Sequence, residues 1–68
     1  MCKQVYRAIY DFHAERLNAL RPDLDFIEET VEKMQEIARK HPGEAFCIDM
    51  LCAVYSDLER RWNALQKP

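Results

Sequence analysis

Sixty-eight residues, 49% apolar and 32% charged with a net charge of −2, make a soluble composition large enough for one domain and too short for two cores. The only glycine is Gly43, which excludes a glycine-rich phosphate cradle; Ser56 and Thr30, the only serine and threonine, lie in no motif and leave little for hydroxyl nucleophiles. Charge is unevenly spread, with six acidic and three basic side chains in residues 22 to 42 against two and four in residues 1 to 21.

The first amphipathic pattern runs over residues 3–20. Val5, Ile9, Phe12 and Leu20 fall near one line of a helix, with Ala8, His13 and Leu17 on its flanks and Lys3, Arg7, Asp11 and Asn18 turned away. The helix is expected to stop at Arg21-Pro22, because a residue before proline is pushed out of the α region.

The second pattern covers residues 25–41. Asp23 and Asp25 both offer an N-cap, and Asp25 is the expected one because Glu28 can reach back as in a capping box. Leu24, Ile27, Val31, Met34, Ala38 and His41 step by three and four, and Glu29 with Lys33 and Glu36 with Lys40 are spaced as favourable pairs. Arg39, Lys40 and His41 suit the negative end of the helix dipole, and Pro42-Gly43 closes the segment.

The third pattern, residues 44–66, is the longest and most apolar. Cys47, Ile48, Leu51, Val54, Tyr55, Leu58, Trp62 and Leu65 form its main stripe; Phe46, Met50 and Ala53 form a second patch, ended by Asp57 and Arg61. At about 35 Å this helix should overhang its neighbours by about two turns, carrying Trp62 and Leu65. Short connections make successive helices antiparallel, so the expected fold is an all-α, up-down-up three-helix bundle in a single helical domain, 1–68.

A domain this small buries only about 60% of the surface of its unfolded chain, so a second copy of the chain is the cheapest added burial. No window holds the roughly 20 apolar residues of a membrane span, and no signal-peptide order opens the chain, so a cytoplasmic location without membrane association is expected. Cys2, Cys47 and Cys52 are an odd set, expected as free thiols. Cys47 and Cys52, five apart on one helix, point about 140° apart and cannot bridge there.

The candidate chemistry is thin. Asp11 and Glu15 flank His13 at two positions each, and residues two apart on a helix do not face each other. His41 reads as a helix-end cation. His41, Cys47 and Cys52 match no ligand spacing, so no metal, cofactor or catalytic residue is expected. Asp49 interrupts the most apolar run, but the wheel groups it with Ser56, Arg60 and Lys67 on a solvated side. Asp25, Glu28, Glu29, Glu32 and Glu36 make an acidic face on the second helix, a solubilising row or one that could present carboxylates to a basic groove. Direct nucleic-acid binding fits poorly with scattered cations, of which Arg60-Arg61 is the only doublet outside the Arg39-Lys40 helix end.

At Ile9-Tyr10-Asp11-Phe12-His13 and again from Leu51 to Arg60, the chain resembles short, uncharacterised all-helical open reading frames of Gram-positive gut bacteria and their mobile elements. The resemblance implies an accessory bacterial or phage protein and carries over no functional residues. The residues themselves point to a non-enzymatic protein-protein interaction module, a homodimer or one docked on a larger protein. Its expected anchors are Phe46, Met50, Ala53, Trp62, Leu65, Tyr6 and Tyr10. The competing expectations are an inhibitor of a host nucleic-acid enzyme acting through the acidic face and, more weakly, a small transcriptional regulator.

Overall fold

The computed structural model describes residues 3–66. They form α1 (Lys3–Asn18), α2 (Leu24–Lys40) and α3 (Ala45–Gln66), with no strand among the described residues. The helices pack as an up-down-up bundle with α3 the longest, and α3 meets both others, α1 most extensively. No described helix is long and apolar enough to cross a membrane. Cys2 and Lys67 lie outside the described residues.

The core is built from a few side chains per helix: Val5, Ile9 and Phe12 of α1, Phe26 of α2, and Cys47, Leu51, Val54 and Leu58 of α3. In α1 these follow the expected line, and Arg16 continues it as a fourth buried position. The helix ends at Asn18, two residues short of the expected 20, with the Ala19 amide donating back to the Glu15 carbonyl at 3.0 Å. The chain then needs Ala19 to Pro22 to turn toward α2.

The start of α2 corrects the expected cap. Asp23, not Asp25, is the N-cap: its backbone is extended (φ −129°, ψ 164°), and Oδ1 accepts from the Phe26 amide at 2.9 Å. Asp25 falls inside the first turn, where its carboxylate still faces the positive end of the helix dipole.

The buried side of α2 is also rotated from the expected one. Leu24 is 68% exposed and Val31 37%, whereas Phe26 and Thr30 are fully buried and Ile27, Met34, Ile37 and Ala38 are partly so. Phe26 offers the largest apolar area on α2, and burying it gains more than burying Leu24. The turn to α3 places Gly43 at φ +79°, a left-handed conformation that costs glycine nothing. The Glu44 carbonyl accepts the Cys47 and Ile48 amides at the head of α3.

On α3 the wide expected stripe narrows to a core line. Cys47, Leu51, Val54 and Leu58 are buried, Tyr55 and Trp62 are half-buried, and Ile48 and Leu65 remain 47% exposed each. Two helix neighbours cover one side of α3, and Ile48 sits at the rim of that side. Trp62 does not overhang freely: its indole Nε1 donates to the Asp23 carbonyl at 3.0 Å, and Gln66 Nε2 donates to the Pro22 carbonyl at 3.0 Å. The α1–α2 turn therefore folds against the last turns of α3 and gives Trp62 a polar partner as well as an apolar seat.

Candidate interaction surface

Two charged clusters on α1 decide which parts of the surface are committed to the fold. Arg16 lies in line with Val5, Ile9 and Phe12, so its side chain enters the seam between α1 and α2 and is 3% exposed. Its guanidinium donates to both Glu15 oxygens, from Nε to Oε1 at 2.8 Å and from Nη2 to Oε2 at 2.6 Å. Nη1 donates to Thr30 Oγ1 at 3.2 Å and lies 3.6 Å from Glu29 Oε1. The Thr30 hydroxyl donates in turn to the Phe26 carbonyl at 2.7 Å, which leaves its lone pairs free to accept from Arg16.

The guanidinium also stands 5.0 Å from the centroid of the Phe26 ring, a cation–π arrangement. The hydrogen bond from Arg16 holds the Glu15 carboxyl below its ordinary range, and the same bond raises the Arg16 pKa. Arg21 extends the network to Asp23 at 3.0 Å and Glu29 at 3.5 Å. Glu29 thus pairs across the helices rather than with Lys33 on its own helix. No buried polar side-chain atom among the described residues lacks a partner.

The second cluster joins α1 to α3. His13 Nε2 is 3.0 Å from Asp57 Oδ2, and Arg61 Nε donates to the same oxygen at 2.9 Å. The His13 hydrogen bond, then that from Arg61, lowers the Asp57 pKa from 3.8 to about 2. A carboxylate so ionised can only accept, so His13 Nε2 carries the hydrogen in this bond. The partner of His13 is therefore Asp57, 44 residues away, and neither of its sequence neighbours. The three side chains include no hydroxyl or thiol, and their bonds fix the His13 ring against α3.

Between these clusters and the first turns, the α1–α3 seam carries an apolar outer face. Tyr6 stacks on Phe46 with ring centroids 5.1 Å apart and planes tilted by 59°. Tyr10 follows Tyr6 by one turn, and Met50 and Ala53 follow Phe46 by one and two. The Tyr6–Phe46 and His13–Asp57 contacts show that α1 and α3 run parallel, so Tyr10 lies beside Met50 and Ala53. Tyr6 is 58% exposed and Tyr10 71%; Phe46 and Met50 are half-buried and Ala53 is exposed.

Five of the seven expected anchors are therefore brought to one face. Trp62 belongs instead to the α1–α2 turn, and Leu65 lies exposed near the far end of α3. The acidic face of α2 is real but shorter than expected, because Glu29 is engaged by Arg16 and Arg21 while Asp25, Glu28, Glu32 and Glu36 are exposed.

Asp49 is exposed, as its place on the wheel requires. Cys47 is buried and Cys52 exposed, both as free thiols, and burial pushes the Cys47 thiol up. A groove of about 330 Å³ opens between α1 and α2 over Phe12 and Ile37, with Asp11, Glu15 and Glu36 facing Lys33 and Lys40. Its charges of both signs offset one another. No grouping of three metal-ligating side chains occurs among the described residues. Comparison with protein-family models, curated proteins and solved structures finds no match to this chain.

Proposed function

We propose that this chain is a small non-enzymatic helical interaction module that associates with itself through the outer face of the α1–α3 seam. The observation that carries the reading is the exposure of Tyr6 and Tyr10 beside the Phe46, Met50 and Ala53 side of α3. Large aromatic groups with a polar tip, left outside the core in a row, are the composition of an interface centre. A chain of 68 residues also has much to gain in stability from a second copy. Its biological setting, on this reading, is an accessory protein of a bacterium or phage working in the cytoplasm.

Sedimentation at micromolar concentration tests the reading. The wild type should exceed the 8.1 kDa of one chain. The double variant Tyr10→Ser, Met50→Ser should move toward that mass while keeping its helical circular dichroism. A wild-type chain that sediments as a monomer across this range overturns the proposal.

A second reading rests on Asp25, Glu28, Glu32 and Glu36, which stand exposed on α2. As an inhibitor of a host nucleic-acid enzyme, the chain would present these carboxylates to a basic groove. Changing Glu28, Glu32 and Glu36 to lysine should then abolish capture of a nucleic-acid enzyme from bacterial lysate. Unchanged capture assigns the row to solvation.

A further inference from the structure

On α3, Asp49, Ala53, Ser56 and Arg60 follow one another at steps of four, three and four, which places them along one line of the helix. All four are exposed. Asp49 has no ion-pair partner among the described residues. The Arg60 side chain is 75% exposed and makes one contact, at 3.5 Å, with an Asp57 already holding His13 and Arg61 at shorter range. The line therefore begins with an uncommitted carboxylate and ends with a weakly committed guanidinium, about 16 Å further on.

Such an order is complementary to itself in only one direction. A two-fold axis crossing α3 midway between Asp49 and Arg60 reverses the helix and sets each Asp49 against Arg60 of the other copy. A parallel pairing would oppose like charges instead. The residues nearest that axis on this line, Ala53 and Ser56, are small, so two helix axes can approach at the short end of the usual 8–10 Å range. Met50 and Tyr10 border the line on the side of α1, where apolar area remains uncovered. Closed two-fold pairing uses the same patch on both copies, as this line does.

We infer that the occupant of this face is a second copy of the chain, docked as an antiparallel pair of α3 helices with two Asp49–Arg60 contacts across the axis. This inference rests on the self-association reading above and adds its direction and register.

The test uses two single variants, Asp49→Arg and Arg60→Asp, alone and mixed. Either alone confronts like charges at both contacts and should associate on the order of tenfold more weakly than wild type. Mixed in equal amounts they oppose two arginines with two aspartates, and should form a heterodimer near wild-type affinity in sedimentation experiments. That recovery also shows that both variants are folded. A wild type that dimerises while each single variant dimerises equally well, or a mixture that gains nothing, overturns the antiparallel register and leaves self-association standing. A monomeric wild type overturns both.

Discussion

Arg16 and His13 lie three residues apart on α1, and each joins that helix to another by charge, but they do so in different solvents. Arg16 is 3% exposed, stacked over Phe26 and bonded to Glu15 and Thr30 inside the α1–α2 seam. The His13 and Asp57 side chains are 34% and 24% exposed, and Arg60 and Arg61 approach Asp57 from water. Removing Arg16 opens a space over Phe26 and takes the donor from the buried Thr30 hydroxyl, whereas removing His13 or Asp57 lets water take the vacated place. The lesson is that a charge in the register of an apolar stripe becomes core, and one on its flank becomes a tether.

The apolar core sets the scale for that contrast. Leu51 is 3% exposed at the centre of α3, and Leu51→Ala should cost about 2 to 5 kcal/mol. Against a total of about 3 to 5 kcal/mol the variant should be largely unfolded unless association rescues it. Thermal unfolding by circular dichroism reads it, and a shift of less than a few degrees would show that Leu51 is not central.

Arg16→Ala should come next, at about 2 to 3 kcal/mol, because Phe26 loses its cover and the buried Thr30 hydroxyl its donor, while the half-exposed Glu15 and Glu29 turn to water. Arg16→Met, which keeps the stem, should recover at least about 1 kcal/mol of that loss. Equal losses in urea denaturation would mean that the hydrogen bonds, not the packing, make Arg16 part of the core.

Trp62→Ala removes a half-buried ring and its bond to the Asp23 carbonyl, and about 2 kcal/mol is expected. Faster amide exchange should appear at the α1–α2 turn and the last turns of α3. If the variant instead lowers only the associated fraction, Trp62 is an interface residue after all.

Asp57→Asn should have the smallest effect and a distinctive pH dependence. The folded value of about 2 lies below the ordinary 3.8, so the folded state binds the ionised form more tightly than the unfolded chain does. That contribution is present above about pH 4 and is lost as pH falls toward about 2. The melting temperatures of wild type and variant should therefore differ modestly at neutral pH and converge near pH 2. A gap that stays constant would show that Asp57 acts through packing.

Periodicity alone determined the three helices, their order, and the core lines of α1 and α3, because steps of three and four leave few ways to bury Val5, Ile9, Phe12, Leu51, Val54 and Leu58. Tyr6 and Tyr10 on one helix and Phe46, Met50 and Ala53 on another were legible as apolar flanks of their own helices, but that they share a face, without Trp62 and Leu65, was not, because it depends on how α1 and α3 meet. The burial of Arg16 was foreshadowed only by its step of four from Phe12, a signal that its charge outweighs when residues are sorted by polarity.

Tertiary structure decided the rest. Which side of α2 faces inward depended on the Thr30 hydroxyl, whose bond to the Phe26 carbonyl is local to α2, also finding a donor in Arg16, a bond that exists only once α1 and α2 meet. The Asp23 cap is a local bond to the Phe26 amide that the spacing allowed without selecting, whereas the seat of Trp62 and the pairing of His13 with Asp57 join groups 39 and 44 residues apart. Local spacing carries no information about such partners, because they are chosen by how three helices of unequal length come together.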